Sequence, residues 1–264
     1  MLPIVIFHVG NPDYLHKVIR RNKPMGTSLT LIGDDSNRGV DATHVDFRTL
    51  ETPELQEFRT HFVNYSTNSS QFEFNCFARL FYIRRWMELN NLTTCVHLDS
   101  DCILLRPTSE LFDGRVAYCS WKTMEASIHV SCLTLDFLKS YEQMCHDIYV
   151  TKSRFHLIED KIRFHKETNT PGGICDMTLY ALLSRELPVQ CLTEVQDDGS
   201  VFDDNINAAR GFLGMDTYRM LGGIKEVYRD NGLWKVTSKD GRTFRLNNFH
   251  FQGGAKAIIR QLPE

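Results

Sequence analysis

Two aspartates one residue apart close an apolar run in VHLDSDCILL, and this is the strongest chemical signal in the chain. Asp99 and Asp101, delivered together by a strand, can approach one hard divalent cation with oxygen ligands and leave positions open for phosphate oxygens. A cation held there would neutralise the charge that builds on a departing diphosphate. The same pair can serve as loop residues making side-chain turns, so the motif needs company. Company stands near the C-terminus in NFHFQGGAKAIIR, where His250, Gly253 and Lys256 recur every third residue. A neutral imidazole can complete a cation's shell, a glycine lets backbone approach a phosphate, and a lysine brings positive charge to it. Taken alone, this second segment also reads as a strand-to-helix turn with a core histidine.

An element must carry each of these groups. Leu2 to Val9 is a continuous apolar run that reads as a strand, followed by a Gly-Asn-Pro break and a helix over Tyr14 to Arg21 on the spacing Leu15, Val18, Ile19. Ser28 to Gly33 and His44 to Phe47 read as further strands. Glu51 to Gln71 reads as a helix and a loop, and Phe74 to Asn90 as a helix with a broad apolar stripe. Thr93 to Leu98 is the strand that runs into Asp99, with Arg115 to Trp121 and Ile128 to Leu135 as later strands. Asp136 to Val150 and Asp176 to Leu183 read as helices, the second placing Asp176 where its carboxylate caps or faces a ligand. A hairpin is expected where Trp234 to Thr237 and Thr243 to Leu246 flank Lys239-Asp240-Gly241. Alternation of this kind predicts an α/β layer with a mainly parallel sheet.

Composition narrows the function classes. A chain of 264 residues with 42% hydrophobic content can bury a large core without external staples. The formal charge of -3 is spread along the sequence, so no basic groove for nucleic acid is expected. The opening MLPIVIFHVG is too short for a membrane span and lacks the marks of a secretory signal. Eight scattered cysteines without a Cys-X-X-Cys pair read as buried free thiols of a cytoplasmic protein. Three glycosylation-type triplets, at Asn64, Asn68 and Asn91, carry little weight without a secretion route.

On these motifs the chain resembles the retaining glycosyltransferases of family 8, which include glycogenin and the lipooligosaccharide galactosyltransferases. The family's strand-end Asp-X-Asp is matched by Asp99 and Asp101, and its C-terminal His-X-X-Gly-X-X-Lys by His250, Gly253 and Lys256. CFARL, at Cys76 to Leu80, is similar to the family's aromatic-Ala-Arg-Leu segment, whose arginine contacts the donor. The resemblance implies a single GT-A type nucleotide-diphospho-sugar transferase domain over 1–264, a mainly parallel mixed sheet flanked by helices. Its nucleotide-binding half would span about 1–121 and its acceptor-side half about 122–264. It implies Mn²⁺ or Mg²⁺ on Asp99, Asp101 and His250. It further implies a nucleotide-sugar donor, a UDP-sugar, met by Val9, Asn11, Tyr14, Arg79, Ser100, Gly253 and Lys256, with Tyr14 stacked on the base. Asp176, beside the donor sugar, and Arg79 take the catalytic roles. The acceptor would be a glycan, with a lipid-linked acceptor and peripheral membrane association left open.

Departures from the family pattern concentrate around the sugar. Met177 stands where the family has a glutamine, Asn11 where it has an acid, Ala257-Ile258 where it has Pro-Trp, and SIHVSC with His129 where it has an Asn-Ala-Gly turn. Donor sugar and stereochemistry therefore stay open. Aromatic residues between 212 and 234 offer themselves to an acceptor or to local packing. Two other classes compete. DSDCI also resembles the start of a haloacid-dehalogenase phosphatase, with Asp99 as nucleophile and Asp197-Asp198 as its later acids, and a protein that binds nucleotide sugars without turnover would keep the same motifs.

Overall fold

The computed structural model describes residues 1–120, 126–211 and 216–261. The chain opens with β1 (Ile4–Phe7), α1 (Asp13–Asn22), β2 (Leu29–Gly33) and β3 (Thr43–Asp46). Helices α2 (Pro53–His61) and α3 (Ser70–Leu89) lead to β4 (Thr94–Leu98), β5 (Cys102–Leu104) and α4 (Thr108–Leu111). Strands β6 (Ala117–Ser120) and β7 (Ala126–Thr134) precede α5 (Leu135–Cys145), α6 (His156–Thr168), α7 (Asp176–Glu186) and β8 (Gln190–Cys191). The remainder is β9 (Ser200–Val201), β10 (Met220–Leu221), β11 (Ile224–Lys225), β12 (Val227–Asp230), β13 (Leu233–Thr237), β14 (Thr243–Leu246), β15 (Asn248–His250) and α8 (Lys256–Gln261). Trp121 and the expected junction between halves at 121/122 lie outside the described residues.

The central sheet has seven strands in the order β3-β2-β1-β4-β7-β6-β8. Strand β7 is antiparallel to both its neighbours, and the other pairings are parallel, which is the mainly parallel mixed sheet expected. Helices cover both faces, so the strands read as continuous apolar runs and not as alternating ones. Alternation shows in three dimensions instead. Val5, Ile32 and Cys95 pack with α2, α3, α5 and α7, while Ile4, Ile6, Val96 and Leu98 pack with α1 and the C-terminal segments.

Helix α3 is apolar around most of its circumference, and Phe77 and Phe81 enter an aromatic group with Phe58, Phe62 and Tyr149. Ser69 caps it by accepting the Phe72 N–H. A helix buried on so many sides draws its one central arginine, Arg79, out of water as well.

Two segments differ from expectation. The helix expected over Asp136 to Val150 is α-helical to Cys145 and continues as a π turn over 146–150. Helix α6 was not expected, because Ile158 is its one fully buried residue and so narrow an apolar stripe gives weak periodicity. The expected hairpin is present as β13 and β14 within a sheet ordered β12-β13-β14-β9.

Topology now explains how distant motifs meet. The chain moves outward from β1 to β2 and β3, then returns to place β4 on the other side of β1, so the strand order reverses between β1 and β4. Ligands of open α/β sheets bind in the crevice outside the carboxyl ends of such strands. Asp99 and Asp101 leave β4 there, and the loop of His8 to Asn11 leaves β1 beside them. Strand β15 pairs antiparallel with β5 and sets His250 opposite Cys102, one residue from Asp101.

Candidate active site

Asp99 continues the face of β4 that carries Cys95 and His97, toward α3. Arg79 donates from Nη1 to Asp99 Oδ1 (2.5 Å) and from Nη2 to Asp176 Oδ2 (2.6 Å), joining two carboxylates from β4 and α7 through one nearly buried guanidinium. Tyr180 also donates to Asp176 Oδ2 (3.1 Å), and the Met177 N–H donates to Asp176 Oδ1 (2.9 Å). Asp176 therefore sits in the first turn of α7 with both carboxylate oxygens hydrogen-bonded. His97 Nε2 lies 3.5 Å from Asp99 Oδ1. Burial works to raise the Asp99 carboxyl, but the Arg79 charge and His97 overcome it and hold the group well below the usual carboxylate range.

Asp101 faces the opposite way, toward the C-terminal segment. Lys256 Nζ is 3.0 Å from its Oδ2, and His250 Nε2 is 3.5 Å from its Oδ1. The second separation is longer than the roughly 2.7–3.2 Å of a good hydrogen bond, so the imidazole and the carboxylate face each other across a gap. Ligand atoms of Asp101, Cys102 and His250 all lie within 4.8 Å of one another. The Cys102 thiol is kept protonated by burial and by the charges of Asp101 and Asp99, which makes it a poor partner for a hard cation.

His250 is held from behind and at its backbone. Its Nδ1 is 2.5 Å from the Asp204 carbonyl oxygen, which can only accept, so the proton belongs on Nδ1 and the Nε2 lone pair faces Asp101. An imidazole oriented in this way beside a carboxylate fits a divalent cation of the Mn²⁺ type. Burial opposes protonation of His250, and the nearby Asp101 together with the charge of Asp99 outweighs it and raises its pKa. Gly253 takes φ +59°, a left-handed conformation costly for other residues, as the chain turns from β15 toward α8.

The nucleotide end is shaped by the loop after β1. Gly10 donates its N–H to Asp34 Oδ2 (3.1 Å), and Asn37 Nδ2 donates to the carbonyls of His8 (2.8 Å) and Gly10 (2.9 Å). Val9 and Asn11 are exposed at the mouth, and Tyr14 is half-buried with Lys256 Nζ 5.8 Å from its ring centroid. Ser100 is half-buried between the two aspartates. Of the aromatic residues considered for the acceptor, Tyr218 is buried and Trp234 packs edge-on against Phe249, while Phe212 lies outside the described residues.

Sequence reasoning missed His97, and also the Asp203, Asp204 and Lys225 group that holds His250. The adjacent acids in FDDN were the available signal, hidden because their lysine lies twenty-odd residues on, across a loop. Asp198, which the phosphatase reading would need, is bonded to Arg106 (2.9 Å), Arg245 and Ser200. The eight cysteines are free, as expected.

No family model and no curated protein matches the chain. Among solved structures it is similar to mouse xyloside xylosyltransferase 1 in its apo form, at 11% identity over 72% of this chain and 84% of that one, with a TM-score of 0.49. It is similar to a glycosyltransferase involved in the glycosylation of the major capsid of PBCV-1, at 12% identity over 98% and 99% of the two chains, with a TM-score of 0.46. It is also similar to an active-site mutant of LgtC, at 14% identity over 69% and 70%, with a TM-score of 0.40.

Proposed function

We propose that the protein is a glycosyltransferase that moves a hexose from a UDP-sugar to an acceptor hydroxyl with retention of configuration, using Mn²⁺ or Mg²⁺. The observation that carries this reading is the meeting of Asp101, His250 and Lys256 at the carboxyl end of β4, from segments about 150 residues apart in sequence. Asp101 and His250 would hold the cation together with Asp99, whose contacts with Arg79 and His97 both use Oδ1. When bound, the cation supplies the Lewis acid that stabilises a departing diphosphate.

The chain's own groups do the rest. Lys256 brings its charge to the diphosphate, which displaces its contact with Asp101. Gly253 lets the backbone come close, and Tyr14 offers its ring to the base, with Val9, Asn11 and Ser100 lining the nucleotide. Arg79 holds Asp176 at the sugar end, where the carboxylate orients sugar hydroxyls and balances positive charge at the anomeric carbon. Both Asp176 oxygens already accept hydrogen bonds, Oδ2 from Arg79 and Tyr180 and Oδ1 from the Met177 N–H, so neither is presented free as a nucleophile. Met177, 37% exposed beside it, has no nucleophilic oxygen. That favours attack by the acceptor from the face the diphosphate leaves, with a diphosphate oxygen as base. The acceptor is a glycan in this reading. No helix among the described residues is long and apolar enough to cross a membrane, and a lipid-linked acceptor would be met at the surface. One transferase domain, with its nucleotide half before the 121/122 junction and its acceptor half after it, completes the proposal.

The test is release of nucleotide from a panel of UDP-, GDP- and dTDP-sugars with and without Mn²⁺, for the wild type, Asp101→Ala and His250→Ala. Metal-dependent UDP release from one sugar, lost in both variants, is the expected result. Binding of a nucleotide sugar without release would favour the non-catalytic binding protein, and phosphatase activity lost with Asp99→Asn would overturn the transferase.

A further inference from the structure

Lys225 has no part in the reaction described above, yet its side chain is only 1% exposed and its ammonium is at the centre of a polar cage. Nζ donates to Asp203 Oδ1 (2.6 Å), Asp204 Oδ1 (3.1 Å) and the Asn205 carbonyl (2.9 Å). Burying an ammonium costs several kcal/mol before its partners offset it, so a lysine here is a poor choice for filling space. The loop it clamps is the loop that holds His250. Asp203 Oδ2 accepts the His250 backbone N–H (2.9 Å), the Asp204 carbonyl accepts Nδ1–H (2.5 Å), and the Ile206 N–H donates to the His250 carbonyl (2.9 Å).

The remaining face of the imidazole is covered by His129, whose ring stacks on it at 4.2 Å and 9°. His129 Nε2 donates to the Asp203 carbonyl (3.0 Å), so this stacked ring is anchored to the same loop. Apart from the pairing of β15 with β5, the approach of Asp101 and the hold of Ser127 on His129 Nδ1 (2.9 Å), the contacts that fix His250 among the described residues thus run through residues 203–206.

We infer that Lys225 is a positioning residue, whose clamp on Asp203 and Asp204 keeps the Asp204 carbonyl on Nδ1–H of His250 and so keeps the Nε2 lone pair turned toward Asp101 and a bound cation. The cation in that statement rests on the reading under Proposed function; the tautomer is a property of the chain itself. Groups acting on metal-binding imidazoles in this way change metal affinity by about 10–100-fold when removed.

The experiment uses the full chain as wild type, Lys225→Met, Lys225→Arg and Asp203→Asn, each shown to be folded by circular dichroism. Long-range ¹H–¹⁵N spectra in alkaline, metal-free buffer report the His250 tautomer, and electron paramagnetic resonance of added Mn²⁺ reports its affinity. The wild type is expected to show the Nδ1–H form alone. Lys225→Met should show both tautomers with Mn²⁺ binding weakened about 10–100-fold, and Lys225→Arg should recover most of both. Should Lys225→Met not fold, Asp203→Asn decides, with a smaller shift in the same direction. A folded Lys225→Met or, failing that, Asp203→Asn that keeps the single tautomer and wild-type affinity would overturn the inference. Wild type that binds no Mn²⁺ would instead overturn the metal reading, with the tautomer populations still deciding the role of Lys225.

Discussion

Asp99 and Asp101 leave the same strand end one residue apart, and their surroundings divide the labour between them. Asp99 meets a guanidinium at 2.5 Å that also grips Asp176, whereas Asp101 meets an ammonium at 3.0 Å and an imidazole held 3.5 Å away. The first side is a closed ion triad that ties β4, α3 and α7 together. The second, though more buried, has its imidazole oriented from behind and without a close partner in front. An Asp-X-Asp pair therefore need not act as two equal ligands: Asp99 offers a cation only the oxygen that Arg79 and His97 do not engage, whereas Asp101 presents the face at which a cation and a diphosphate can be received.

The largest effect that sharpens this contrast is on stability. Arg79→Ala leaves Asp99 and Asp176 facing each other without their shared cation, and a loss of about 3–5 kcal/mol in urea unfolding at neutral pH is expected. The sign with pH follows from the depressed carboxyl of Asp99. Its stabilising contribution is complete above the unfolded value near 4 and fades as pH falls toward its lower folded value. The deficit of Arg79→Ala relative to wild type should accordingly shrink in acid, where protonation relieves the stranded carboxylates. A deficit that stays constant with pH would break the closed-triad account.

On the Asp101 side the expected loss is in turnover and not in folding. Asp101→Ala should lower metal-dependent donor cleavage by about 10²–10³-fold with an unfolding midpoint close to wild type, measured by steady-state kinetics alongside a urea titration. Lys256→Gln removes one charged contact to phosphate, worth about 1.5–3 kcal/mol, and should raise KM for the donor by about 10–100-fold with a smaller change in kcat. Tyr14→Ala removes one stacking surface at the nucleotide mouth and should weaken UDP binding by about 1 kcal/mol in calorimetry. An unfolded Asp101→Ala, or an active one, would erase the distinction between the two sides.

Much of this was legible in the amino-acid order because the informative features are local. A five-residue, mostly apolar strand running into Asp99, and the three-residue spacing of His250, Gly253 and Lys256, need no knowledge of what folds beside them. Arg79 was legible through family resemblance alone, since an arginine within a helix carries no mark of whether it meets water or two carboxylates. The bridging of Asp99 to Asp176, residues 77 apart, and the clamp of Lys225 on Asp203 and Asp204 depend on tertiary packing that local periodicity does not encode. The short strands β8 to β11 were missed for the same reason, because two residues are too few to show a period of two.

The central claim, that a cation is received on the Asp101 and His250 side, is tested most directly by titrating Mn²⁺ into wild type, His250→Ala and Arg79→Lys in the presence of UDP. Binding is followed by the loss of the free-ion electron paramagnetic resonance signal. The account predicts saturable binding in the wild type, its near-complete loss in His250→Ala, and its retention in Arg79→Lys, whose ammonium still serves the Asp99 side. Undiminished Mn²⁺ binding in a folded His250→Ala would contradict it.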